Sequence, residues 1–227
     1  MTDPPVPPSP EDVAPPPAQR WTPRSAIRRA VVVLRSEGAR SLGFKLLGET
    51  VYRRVVVLGR SLAGPLLRFD PPPGVEIDRL RPAEIDRYLA LRPAADGREI
   101  ERRLAAGDRC LVARLDGRIV HAGWLASRPV WSDYLGMDVA PRPGEAYVYE
   151  SFTDPAHRRS GITAARSTVA LRLARDEGHR SIIGIVMPEN RAAFGPARKM
   201  GFAPCGVIGW VGVGRWRYEF DRRRPVA

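Results

Sequence analysis

The spacing of apolar residues changes along this chain, and each change marks an element. From Ser25 onward Ile27, Ala30, Val31, Leu34, Leu42, Leu46 and Leu47 recur at helical intervals, interleaved with Arg24, Arg28, Arg29, Arg35, Arg40 and Lys45. Gly38 and Gly43 interrupt the stripe, which predicts two short helices with a basic outer face. Val55-Val56-Val57-Leu58 is β-branched and suits a strand as an alternative. After Pro71-Pro72-Pro73, Val75 and Ile77 alternate with polar residues, the signature of a strand. Residues 81–91 then carry Ile85, Leu89 and Leu91 on a helix, and residues 98–106 a second one with Ile100 and Leu104, closed by Gly107. Residues 110–114 and 118–126 flank Asp116-Gly117 and read as a hairpin. Residues 127–144, with Pro129, Pro141, Pro143 and Gly144, read as a long loop.

A further strand is predicted over 146–153, a loop over 154–159, and a helix from about 161 to 177 with Ile162, Ala165, Val169 and Leu173 along one stripe. Gly178 stands where that helix should stop. Residues 182–187 are almost entirely apolar, as a central strand covered on both faces must be. Strand, helix and buried strand make a right-handed crossover. A shorter helix over 190–200 and at least one strand pair within 207–220 complete a mixed α/β order around one sheet.

Composition sets the outer limits. A chain of 227 residues holds one well-buried domain and an appendage, and 44% hydrophobic with 27% charged residues is ordinary for a globular protein. The reading divides the chain into a disordered, Pro-rich tail over 1–23, a basic amphipathic extension over 24–70 and a main domain over 71–227. Cys110 and Cys205 cannot build a disulfide framework and match no zinc spacing, so a reducing compartment and no metal are expected. With neither a secretory signal nor a long apolar run, a cytoplasmic protein is expected. The net charge is +12, of which residues 24–68 supply +8 from ten basic and two acidic side chains. That arm suits either an anionic membrane surface, which would place the protein peripherally on the inner membrane face, or the surface of its own main domain. Nucleic acid is not the expected partner, because the charge is joined to no recognition helix, stacking repeat or zinc finger.

Candidate chemistry concentrates where the 146–153 strand hands over to the following helix. Arg158-Arg159-Ser160-Gly161-Ile162-Thr163 places arginines, a glycine and free helix N–H groups together, an arrangement suited to phosphate. Asn190, Ala193 and Lys199-Met200-Gly201-Phe202 follow after the buried strand. Together these residues make the segment 75–220 resemble the GCN5-related N-acetyltransferase superfamily, which carries an Arg/Gln-x-x-Gly-x-Gly/Ala turn and an Asn…Ala…Lys-x-Gly-Phe signature. Thr163 departs from the small residue usual at its position.

The resemblance implies a central mixed sheet flanked by helices, whose middle strands splay to admit acetyl-CoA or another acyl-CoA as co-substrate. The turn formed by Arg158, Arg159, Ser160, Gly161, Ile162 and Thr163 would hold the pyrophosphate. Phe152 and Thr153 would lie beside the thioester and pantetheine, where a backbone N–H can polarise the acyl carbonyl, and Asn190 at the mouth of the splay. The tyrosine acid frequent in the family would fall at Ala197, so the usual donor to the leaving thiolate is missing. Glu150 is the preferred base. Tyr149 and Tyr147 are candidates for the acid, on the opposite face from Glu150 unless a bulge intervenes. His121, His157 and His179 are dispersed and form no metal pattern. The implied function is acyl transfer to the amine of a small molecule such as an amino sugar or a biosynthetic intermediate, and a homodimer is compatible with it. The alternative is a non-catalytic acyl-CoA-binding module with an interacting basic arm.

Overall fold

The computed structural model describes residues 51–213 and 216–226. The tail expected over 1–23 and residues 24–50 of the basic arm lie outside them. In chain order the described elements are β1 (Tyr52–Ser61), β2 (Val75–Arg79), α1 (Ile85–Leu91), α2 (Gly97–Ala105), β3 (Arg109–Leu115), β4 (Arg118–Ala126), β5 (Val130–Ser132) and β6 (Met137–Val139). They continue with β7 (Glu145–Thr153), α3 (Ile162–Asp176), β8 (Ser181–Val186), α4 (Arg191–Lys199), β9 (Ala203–Val213) and β10 (Trp216–Arg223).

Eight strands form one sheet in the order β10-β9-β1-β8-β7-β4-β3-β2. All neighbours are antiparallel except β7 and β8, joined in parallel through α3. The expected mixed α/β class and the strand, helix, buried strand crossover are therefore present. Asp116 and Gly117, with φ of 50° and 74°, turn β3 into β4, the left-handed pair that a two-residue hairpin requires.

Two expectations are corrected. The sheet begins before residue 71: β1, from the segment assigned to the extension, runs between β8 and β9 and pairs with both. Val55, Val57 and Leu58 are buried there, so a β-branched run covered by two neighbours is held by strand pairing. The expected loop over 127–144 contains the two-stranded ribbon β5–β6; Val130 and Val139 pair across it and are both buried, an apolar pair that the surrounding prolines obscure in the sequence.

Side chains alternate across the sheet and divide it into two packed faces. On one, α1 and α2 cover Trp124, Tyr147 and Tyr149, with Trp124 Nε1 donating to Tyr88 Oη at 3.0 Å. On the other, α3 lays Ile162 against Val75, Ala113 and Val120, and Leu171 and Ala174 against Leu125, Ala146 and Ile182. Among the described residues no helix is long and apolar enough to cross a membrane.

Candidate active site

The parallel pairing of β7 with β8 runs from Glu145↔Ser181 to Val148↔Gly184 and stops. Beyond it β7 continues to Thr153 paired with β4, while β8 continues to Val186 paired with β1. The two central strands thus part at Val148, and residues 149–153 line one wall of the resulting cleft. Close to the parting point β7 bulges. Trp124 opposes Tyr149 and Ala122 opposes Phe152, so Glu150 and Ser151 share Gly123 as their partner, and Glu150 takes a positive φ of 45°. Such a bulge shifts the alternation by one residue. Glu150 thereby joins Tyr149 on the α1/α2 face, where strict alternation would have separated them.

On that face Glu150 meets Arg103 of α2. Arg103 Nη2 donates to Glu150 Oε1 at 2.9 Å and Nη1 lies 2.8 Å from Oε2, while Nε donates to Glu99 Oε1 at 3.0 Å. The guanidinium also sits 5.4 Å from the centre of the Trp124 ring and 5.5 Å from that of Tyr149. Burial works against its charge, but the hydrogen bond and charge of Glu150 outweigh it and hold the Arg103 pKa above the usual value. Tyr149 Oη donates to Asp108 Oδ2 at 2.6 Å, and Arg128 Nη2 donates to the same oxygen at 2.7 Å. Burial first and the Asp108 carboxylate second push the Tyr149 phenol well above its ordinary range. A phenol so placed is already committed as a donor, so the candidate acid Tyr149 is a holder of Asp108. Tyr147 is buried and stacked on Tyr149 at 5.6 Å between ring centres. Phe152 faces Arg92, whose guanidinium lies 5.1 Å above its ring.

The α3 face carries a second polar group, built around Arg166. Arg166 Nε donates to His121 Nε2 at 3.1 Å, and Nη2 donates to Ser151 Oγ at 2.9 Å. Because Nε2 accepts, the proton of the neutral imidazole is on Nδ1, which donates to Thr153 Oγ1 at 2.7 Å. Thr153 Oγ1 in turn lies 3.2 Å from Thr163 Oγ1 at the start of α3. Burial and then the Arg166 charge lower the His121 pKa to about 3, so the ring is neutral near pH 7. Burial lowers that of Arg166 to about 10, and among the described residues no carboxylate offsets it.

The turn before α3 is shaped for close approach. Arg159 and Gly161 have φ of 63° and 85°, and the space beside the Gly161 Cα is open. Asp154 accepts from the Ala156 N–H at 3.0 Å, and Ser160 Oγ donates to the His157 carbonyl at 2.7 Å. Arg158 is half-buried, whereas Arg159, Ser160 and Thr163 are exposed. The Ile162 side chain is buried in the core, which leaves only its backbone N–H to meet a ligand. Asn190 is exposed ahead of α4, and its side chain caps no helix N–H. The predicted residues therefore fall into three groups: the turn with Thr153 and Thr163, the pair Glu150 and Tyr149, and Asn190 apart from both. Arg103, Asp108, His121, Ser151 and Arg166 were missed. For Arg166 a signal existed: it lies four residues after Ile162 and three before Val169, on the apolar stripe.

The Acetyltransferase (GNAT) family profile matches residues 77–202. No curated protein matches the chain. Among solved structures, a GCN5-related N-acetyltransferase from Sphaerobacter thermophilus shares the fold with a TM-score of 0.54 at 17% identity, over 74% of this chain and 54% of its own. A second from Kribbella flavida gives 0.48 at 18% identity over 75% and 62%. An aminoglycoside 6'-N-acetyltransferase from Acinetobacter baumannii gives 0.47 at 19% over 57% and 91%. The chain spans about half the length of the first of these.

Proposed function

The chain belongs to the acetyltransferase (GNAT) family, and from that premise we propose that it transfers an acyl group from acyl-CoA to the amine of a small molecule, such as an amino sugar or a biosynthetic intermediate. The observation that carries the reading is the parting of β7 and β8 at Val148, with the Gly161 turn and the start of α3 at its outer end. The residues present fit acyl-CoA. Space is open beside Gly161, and the first N–H groups of a 15-residue helix point out of it. Bound there, acyl-CoA supplies the activated thioester.

The remaining work is done by the chain. Arg158, Arg159, Ser160, Gly161, Thr163 and the Ile162 N–H bind the pyrophosphate, a dianion that arginine and helix N–H groups suit. The backbone of Phe152 and Thr153, on the wall of the cleft, supplies N–H donors to the pantetheine arm and the acyl carbonyl. Asn190 is assigned to the mouth of the cleft by the family resemblance. Glu150 is the base: the bulge exposes its carboxylate on the α1/α2 face, where an amine would enter, and the Arg103 ion pair fixes its orientation. Asp108, Tyr149 and Arg128 brace the same wall.

Calorimetric titration with acetyl-CoA, paired with thiol release over a panel of amines, tests the reading. Binding with turnover on at least one amine is expected. Binding without turnover on any amine would favour a non-catalytic acyl-CoA-binding module, the reading that Ala197 supports. The basic segment over 24–50, outside the described residues, is proposed to serve docking, and vesicle co-sedimentation with and without anionic lipid separates a membrane from a protein surface.

A further inference from the structure

We infer that the Ser151 hydroxyl, held by the buried Arg166, donates the hydrogen bond that stabilises the leaving thiolate of acyl-CoA, in place of the tyrosine that Ala197 lacks. The inference rests on the acyl-CoA reading above and adds a residue to it. Buried charges in proteins are ordinarily paired, because neutral partners compensate the loss of hydration only in part. Arg166 is 4% exposed, yet among the described residues its partners are the neutral groups His121 and Ser151, and it makes no ion pair.

The site is built to hold it: any Cβ at Gly123 would run into the Arg166 guanidinium. His121 is fully buried and fixed by Thr153 on its far side. A cation kept without a counter-charge favours an anion that arrives with the ligand.

Acyl-CoA arrives with anionic phosphates, and a thiolate forms only as its thioester breaks; position separates the pyrophosphate from that thiolate. The pyrophosphate belongs at Gly161, five residues before Arg166 and roughly 7 Å away along the helix axis. Ser151 lies two residues before Thr153, roughly 7 Å along the strand, on the side of Val148 where the cleft closes. The phosphate end therefore occupies the turn, and the sulfur end reaches toward Ser151. Ser151 is exposed, and its Oγ accepts from Arg166, so its own O–H is turned to another acceptor. The nearby cation makes it a stronger donor. As the amine nitrogen forms the C–N bond, the C–S bond breaks and its electron pair stays on sulfur. The surplus amine proton leaves to Glu150 or water, and Ser151 keeps its own proton. Ser151 is thus the catalytic residue of the inference and Arg166 its positioning residue.

Binding of CoA and of desulfo-CoA, measured from pH 6.5 to 9, tests this without turnover. Four titratable or charged groups lie around the site: His121 of β4 on the same face and, across the sheet, Cys110 of β3 and Glu150 of β7 with Arg103 of α2. His121 and Cys110, at about 3 and about 12, stay neutral over that range, and Glu150 and Arg103 are paired with each other. The wild type is expected to bind CoA about sevenfold more tightly at pH 9 relative to desulfo-CoA, because a free thiol ionises near pH 8.5 and the site would lower that value by roughly one unit. Ser151→Ala and Arg166→Met should each abolish the difference. Should Arg166→Met fail to fold, Ser151→Ala decides alone. Identical pH profiles for CoA and desulfo-CoA in the wild type, or an undiminished difference in Ser151→Ala, overturn the inference. Failure of both ligands to bind the wild type would remove the acyl-CoA reading, and the inference with it. A succinyl-CoA affinity ten times that of acetyl-CoA, with no thiol effect, would assign Arg166 to a carboxylate on the acyl chain and overturn it as well.

Discussion

Arg103 and Arg166 lie on opposite sides of the same bulge and have opposite surroundings. Arg103 is clasped by Glu150 and Glu99 and covered by two aromatic rings. Arg166 is more deeply buried and has a neutral imidazole and a hydroxyl. The first keeps its proton more firmly than a free arginine, and the second less firmly. The difference lies in the partners, since the side chain is the same. A paired arginine braces the wall of the cleft, on the side proposed to receive the amine. An uncompensated one stores electrostatic stabilisation for a charge that forms elsewhere, at a standing cost to the fold.

The largest effect is expected on the paired side. Glu150→Gln should lower kcat about 10²-fold while leaving acyl-CoA affinity unchanged, because shape is kept and basicity lost. Steady-state kinetics with a responsive amine would show it. A rise in KM alone would make Glu150 a binding residue and leave Arg103 a purely structural cation.

The unpaired side should show itself through pH. His121 is neutral in the native protein down to about pH 3 but takes up a proton near pH 6.5 when the chain unfolds. Below that value the unfolded state binds the extra proton, so stability falls with falling pH by up to about 1.4 kcal/mol per unit. Urea melts at pH 6.5 and 5 should lose about 2 kcal/mol from this source, and His121→Gln should lose correspondingly less over the same interval. Equal losses in the two proteins would mean that the imidazole is not held neutral by its surroundings.

Gly123→Ala should cost about 1.5 kcal/mol by pressing on the Arg166 guanidinium. Combined with Arg166→Met, the same change should cost much less, since the crowded atoms are gone. Additive losses in that double-mutant cycle would separate Gly123 from the Arg166 site. The smallest expected effect is Gly161→Asp, which adds a Cβ at a positive φ and a negative charge where phosphate should sit. Acyl-CoA binding should weaken about tenfold, or about 1.4 kcal/mol, and calorimetry would register it.

Much of the fold was legible because its signals are local. The hairpin at Asp116-Gly117, the crossover through α3 and the turn before that helix each fall within a short stretch, and all are where the pattern places them. The bulge was not legible. Bulges with a left-handed residue usually advertise it with glycine, and here that residue is Glu150. Arg166 could be seen on an apolar stripe, but its partners could not, since His121 is 45 positions away and Ser151 15.

The sequence by itself determined the kind of most elements from β2 onward and the turn at the start of α3, because period and backbone preference act within a few neighbouring residues. Tertiary structure alone decided that β1 belongs inside the sheet, paired with β8 and β9 more than a hundred residues later. It also decided that Glu150 shares a face with Tyr149, and that Arg166 is buried with neutral partners among the described residues. Those outcomes depend on register and on which side chains meet across strands, and both are set by packing the whole core at once.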